Sequence, residues 1–357
     1  MFCSFSSAET QWIHLRILGQ LVDHKQYTND ELVNLHWEEK CTLIQSDPLT
    51  CATHFDYQVN TFLRYFLLSN AEPLGKISDW FYRVEYQQRG SPHIHMMIWI
   101  ESAPVFGEDS DSKVTSFIDN IITCEEPVDN AELLEPVKRQ IHKHSHTCRK
   151  KSKNESRFNY PQPPMRQTVT LHPFSVDEIP MNEVKSYKDS WKKIHQYLND
   201  LKEGMDITFD NLLVILGITE DDYILAIRSS INTPTIFLKR SPNELRINNH
   251  NVPCLSAWRA NMDIQFILDV YACAVYITNY ISKAKKGMSE LLRQACTEAR
   301  KATIKQQVRD IGSKFLNNVE ISVLQLPMCK ASRQVVFINT STPSDRINVL
   351  KPLSDNI

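Results

Sequence analysis

The sequence predicts an α+β fold in which an antiparallel sheet is flanked by helices, with an inserted basic, His-rich module and additional helices. Two runs of alternating residues between Phe81 and Ile100, joined by a short Arg-Gly-Ser-Pro loop, predict a β-hairpin. Segments with apolar residues at helical spacing, such as Asp56 to Ser69 and Phe266 to Lys286, predict the helices. The 357 residues are 42% hydrophobic and 23% charged, enough for about two globular domains. Eight glycines, no two adjacent, leave no GxGxxG or GxxxxGKS/T phosphate loop, which excludes an encoded nucleotide hydrolase.

In chain order, Phe2 to Phe5, Trp80 to Gln87 and His93 to Ile100 read as strands and Asp56 to Ser69 as a helix, so residues 1–105 form a first α+β unit. Residues 106–165 change character and read as an insertion: acidic at Glu108, Asp109, Asp111, Glu125, Glu126 and Asp129, then basic and His-rich as far as Pro161, Pro163 and Pro164. In a mixed α/β region, 166–260, Met181 to Leu216 is helical, and Tyr223 to Arg228 followed by Thr235 to Lys239 reads as a strand pair bounded by Asn232 and Pro234. Residues 261–320 carry two helical patterns, Met262 to Asn318, parted near Lys286 and Gly287. The tail, 321–357, has a strand-like Val335 to Ile338 and a turn-rich end.

Lys+Arg 40 against Asp+Glu 42 leaves a net charge of −2, so the whole-chain field selects no partner. Nine cysteines, an odd number in a chain without a signal peptide, predict reduced thiols and a cytosolic or nuclear place. The most apolar stretches, His93 to Ile100 and Phe266 to Ile281, fall short of the roughly 18 uncharged residues of a membrane span.

The chemistry concentrates in the hairpin. Successive strand side chains point to opposite faces, so Tyr82, Val84 and Tyr86 share an apolar face with Ile94, Met96, Ile98 and Ile100. The opposite face presents Glu85 and Gln87 beside His93 and His95. Two imidazoles two residues apart, facing a carboxylate and an amide, can supply N and O ligands to one divalent ion with open positions. Alternatively, they are polar residues on the solvent face of an ordinary hairpin. Downstream, Tyr276 and Tyr280 are four residues apart, so their hydroxyls share one helix face, which Lys283 can line with positive charge. A phenol with a pKa of about 10 needs a cation, a base or a polarised phosphodiester to act as a nucleophile. The alternative is a pair of core tyrosines.

A His-hydrophobic-His strand followed by Tyr-x-x-x-Tyr is similar to the HUH endonucleases. More closely, the stretches Phe2 to Glu9, Glu85 to His95, Arg157 to Pro164, Ala260 to Gln265, Tyr276 to Lys283 and Ser332 to Thr340 resemble, in order, the Helitron replication-initiator domain, the helicase-like N-terminal domain of Helitron transposons. The resemblance implies an HUH-endonuclease-like core whose first part is 1–105, with His93 and His95 holding Mg²⁺ or Mn²⁺. It implies Tyr276 and Tyr280 as nucleophiles, with Lys283 beside them. Glu85 or Gln87 is the expected third ligand, with Asp263 and Gln265 as outsiders. The implied activity is nicking of single-stranded DNA and strand transfer through a 5′-phosphotyrosine in rolling-circle transposition.

Some positions depart from the family pattern. Relatives typically continue into a helicase, whereas this chain reaches Ile357 without a Walker motif, so unwinding is expected from a partner or a longer product. Asn279 stands where the family often has Lys, and 317–327 is short. The rival expectation is therefore a non-catalytic DNA-binding remnant of a truncated transposon protein. From Arg139 to Arg157 seven Lys/Arg face one Glu, a run that attracts phosphate backbones, with Arg149, Lys150, Lys151 and Lys153 at its centre. His142, His144, His146 and Cys148 have zinc-ligand chemistry, although Ser156 stands where the family often has a Cys. Phe158 and Tyr160 are placed either to stack bases or to anchor the loop.

Overall fold

The computed structural model describes residues 1–11, 14–86, 91–144, 148, 156, 158–201, 205 and 207–269. The first elements are β1 (Phe2–Ser6), α1 (His14–Val22), α2 (Asn29–Asn34), α3 (Trp37–Ser46), α4 (Pro48–Phe62), β2 (Ile77–Tyr86) and β3 (Pro92–Ile100). There follow α5 (Asp111–Ile121), α6 (Ala131–Arg139), β4 (Val169–Leu171), α7 (Met181–Asp200), α8 (Phe209–Leu216), α9 (Glu220–Ser230), β5 (Thr235–Phe237), α10 (Val252–Trp258) and β6 (Met262–Gln265).

The fold is α+β. Its main sheet is antiparallel with strand order β2-β3-β1-β6, and β4 pairs with β5 in a second, two-stranded sheet. Alternation in each main strand places Cys3, Phe5, Tyr82, Ile94, Met96, Ile98, Ile100, Met262 and Ile264 on one buried face. Against it lie Phe55, Val59 and Phe62 of α4, which starts at an Asp47 cap with Pro48 in its first turn. The ring of Phe5 meets Phe62 at 5.1 Å and Trp258 at 5.5 Å, both edge-on, and Trp258 Nε1 donates to the Ser6 carbonyl at 2.8 Å. These contacts tie the central strand to both α4 and α10. Val114 and Ile118 of α5 and Leu133 and Val137 of α6 fill the same core, so the acidic part of the expected insertion packs with the sheet.

A second core joins α7, α8 and α9 to β4 and β5 through Leu198, Leu212, Tyr223, Ala226, Ile227 and Phe237. Here the structure corrects the expected strand at Tyr223 to Arg228, which is the middle of α9. A capping box between Thr219 and Asp222 starts that helix, and burial of Tyr223, Ala226 and Ile227 follows helical spacing. Thr235–Phe237 is a strand, but its partner is Val169–Leu171. Similarly, Met262 does not open a helix: Met262–Gln265 is β6, with Met262 and Ile264 buried in alternation. The continuation of that expected helical region, and the tail, lie outside the described residues. A third cluster, Leu15, Leu18, Leu32, Leu43 and Cys51, holds α1 to α3 against the start of α4. Among the described residues no helix is long and apolar enough to cross a membrane.

Candidate metal centre

The face of the main sheet opposite the core is polar around the end of β2 and the start of β3, and gives way to Phe81, Met97 and Trp99 further along. In β2 and β3, Glu85 stands directly across from His93, and Arg83 across from His95. Direct partners in an antiparallel pair share a face, so all four side chains project together. His95 Nε2 donates to Glu85 Oε2 at 2.8 Å, and His93 Nε2 lies 3.8 Å from the same oxygen. One ligand atom from each of Glu85, His93 and His95 lies within 4.8 Å of the others, close enough to surround one ion. The neighbouring strand β1 brings Phe2, Ser4 and Ser6 to this face. Phe2 stacks on His95 with ring centroids 5.8 Å apart and planes 18° from parallel, and Ser6 Oγ is 3.5 Å from His93 Nδ1. His95 is consequently only 7% exposed although it points away from the apolar core. Sequence reasoning missed Phe2 and Ser6; alternation in Phe2–Ser6 places them on one face, but only the β1–β3 pairing shows which residues they meet.

Asp263 faces the same side, in register with Ser4 of β1, which is itself in register with His95. It is therefore two strands from the histidines, and its Oδ2 accepts from Gln265 Nε2 at 2.6 Å. Burial pushes its carboxyl up to about 6, with the Gln265 hydrogen bond opposing. The geometry brings Glu85, rather than Asp263 or Gln265, to the imidazoles. Gln87, and with it Tyr276, Tyr280 and Lys283, lie outside the described residues.

A second group gathers His142, His144 and Cys148, whose ligand atoms also lie within 4.8 Å of one another. His144 Nδ1 is 3.4 Å from Cys148 Sγ, and the His142 ring stacks on Tyr160 with centroids 4.4 Å apart. His142 Nε2 is buried without a hydrogen-bond partner, and desolvation, helped by His144 and Arg246, lowers the ring's pKa, so the imidazole is held neutral. Tyr160 is buried and donates to Asn248 Oδ1 at 2.8 Å, so of the two aromatics it anchors the segment, whereas Phe158 is exposed. His146 and the basic residues Arg149, Lys150, Lys151 and Lys153 lie outside the described residues.

Residues 17–98 match the family model described as the Helitron helicase-like domain at the N-terminus. This segment is Helitron-like. The match runs from α1 into β3 and contains Glu85, His93 and His95. The Helitron-like segment thus supplies all three side chains that converge on the polar face, while β1, which packs Phe2 and Ser6 against them, precedes it. No curated protein matches the chain.

Proposed function

We propose that the protein nicks single-stranded DNA and transfers the cut strand through a 5′-phosphotyrosine, as in Helitron-type rolling-circle transposition. The observation that carries this reading is the convergence of Glu85, His93 and His95 on one polar sheet face inside the Helitron-like segment. Two imidazoles and one carboxylate fit a divalent ion with open positions, Mn²⁺ being a better match than Mg²⁺, which prefers an all-oxygen shell. Such an ion supplies Lewis-acid polarisation of the phosphodiester. Without an ion, the hydrogen bond from His95 Nε2 to Glu85 holds the two donors together, and the Nε2 proton would have to leave for that nitrogen to ligate; Phe2 stacks on the same ring.

Tyr276 and Tyr280 are the nucleophiles by family resemblance. The phenolate oxygen of one attacks phosphorus, the bond from phosphorus to the 3′ oxygen breaks, and that oxygen takes up a proton to leave a free 3′-OH. The 5′ phosphate remains esterified to tyrosine, and attack by another 3′-OH reverses the step without ATP. Lys283 lowers the cost of the phenolate. Arg149, Lys150, Lys151 and Lys153 attract the strand through its phosphates irrespective of sequence. Strand separation falls to a helicase domain or protein, and the place of action is the nucleus. The His142, His144 and Cys148 group, with His146 as fourth donor, suits zinc in a structural role, since a neutral imidazole and a thiolate are zinc's preferred ligands.

Incubation of the chain with a labelled single strand and Mn²⁺, followed by denaturing electrophoresis, tests the reading. A covalent protein–DNA band is expected, reduced to a single-tyrosine adduct in either Tyr276→Phe or Tyr280→Phe and absent from the double variant. Adducts that persist in the double variant identify another nucleophile. No adduct from the unaltered chain with any divalent metal, alongside retained DNA binding, supports the non-catalytic remnant instead.

A further inference from the structure

Arg83 is in register with His95, so it shares the polar face with Glu85, His93 and His95, while Tyr82 and Val84 on either side of it pack into the core. Its side chain is half-buried, and among the described residues it makes no hydrogen bond and no ion pair. Glu85 is the obvious protein partner, but its Oε2 is engaged by His95 at 2.8 Å and faces His93 at 3.8 Å. Asp263, the other acid on this face, lies beyond β3 and β1 and accepts from Gln265. A partly desolvated guanidinium with five donors and no acceptor is costly to maintain, and it is complementary to an anion arriving at the face.

We propose that Arg83 grips the phosphodiester of the single strand at the Glu85–His93–His95 cradle, donating to a non-bridging oxygen of the linkage held there. This deepens the nickase reading and rests on it for the identity of the ligand. The guanidinium fork matches two oxygens of one phosphate, whereas a lysine would offer a point charge. With Glu85 occupied in ligation, the pull of Arg83 is directed at the substrate. As the tyrosyl oxygen bonds to phosphorus and the 3′ oxygen departs, charge builds on the non-bridging oxygens, where a donor fixed by two β-strands requires little rearrangement.

The test uses the full chain carrying Arg83→Gln or Arg83→Lys, with three readouts: Mn²⁺ affinity by electron paramagnetic resonance, oligonucleotide affinity with and without Mn²⁺, and the rate of covalent adduct formation. For the Gln variant we expect Mn²⁺ affinity within about twofold of the unaltered chain, a roughly tenfold loss in the Mn²⁺-dependent part of DNA affinity, and adduct formation slowed about 100-fold. The Lys variant should recover part of each loss. Unchanged Mn²⁺-dependent DNA affinity in the Gln variant overturns the proposal whether or not the protein cuts. Loss of Mn²⁺ binding together with DNA affinity also overturns it, because Arg83 then supports Glu85 instead of contacting DNA. If the unaltered chain forms no adduct while the Gln variant still loses Mn²⁺-dependent affinity, the nickase reading fails and the phosphate contact stands.

Discussion

His93 and His95 are distinguished by what surrounds each ring. His95 is covered by Phe2 and hydrogen-bonded to Glu85 at 2.8 Å, whereas His93 lies 3.8 Å from that carboxylate and beside Ser6. His95→Ala should therefore abolish Mn²⁺ binding and also loosen the face, because it leaves Glu85 without its closest partner. His93→Ala should abolish Mn²⁺ binding with little change in melting temperature. Calorimetric titration and thermal unfolding of the two variants separate these outcomes, and Mn²⁺ binding retained in both would remove the metal assignment. The ligand types and their common face were legible in the hairpin, since a period of two dictates them. Arg83 was equally accessible to that alternation, but that it has no hydrogen bond or ion pair among the described residues was not, because that depends on where Glu85 turns.

At the scale of elements, β1 is the sensitive piece, since it pairs with both β3 and β6 and carries Phe5 into the core. Phe5→Ala should cost about 3–5 kcal/mol in urea unfolding, through lost transfer energy and the cavity left between Phe62 and Trp258. A loss well below 1 kcal/mol would show that the aromatic cluster collapses around the gap. Thr219→Ala, which removes the capping box of α9, should cost only ~1 kcal/mol and leave Mn²⁺ binding unaltered, because that helix belongs to the other core. The same helix shows why the residues Tyr223 to Arg228 misled: a short apolar run satisfies both periods, and the cap at Thr219, upstream of it, decides between them. β6 was misread for the related reason that four residues are too few to carry a period without a partner strand.

For the whole molecule, two sets of titrating groups oppose each other. Burial lowers the pKa of His54 and of His250 below the ordinary 6.5, so the unfolded chain binds protons that the native state refuses. Their contribution to stability is present at neutral pH and is lost as pH falls below about 6.5. Burial raises Glu9, Asp56 and Asp263, the last from 3.8 to about 6, so the native state holds protons the unfolded chain has released. Their contribution is present at low pH and is lost as pH rises through that window. Asp263→Asn removes a contribution that falls as pH rises from about 4 to 6, so its melting temperature should rise more with pH over that range than that of the unaltered chain, and His250→Gln should soften the decline below 6.5. Profiles that overlay the unaltered chain would contradict the assignments. Charge acts over a longer range: neutralising Lys150, Lys151 and Lys153 together should weaken binding to all single strands alike and reduce the salt slope by about 2. An unchanged slope would place the basic run away from the DNA.

By itself, the sequence determined the donor types, their common face on the hairpin and the absence of an encoded phosphate loop, because these follow from side-chain chemistry and from a period of two over adjacent strands. The tertiary structure decided which distant residues complete the site. Ser6 meets His93 and Phe2 stacks on His95 only because β1 pairs with β3 across some ninety residues of chain, and Asp263 stays apart because β6 joins the far side of β1. Those pairings are selected by the shared burial of Cys3, Phe5, Ile94, Met96, Met262 and Ile264 against α4 and Trp258, a non-local gain that no window of neighbouring residues records.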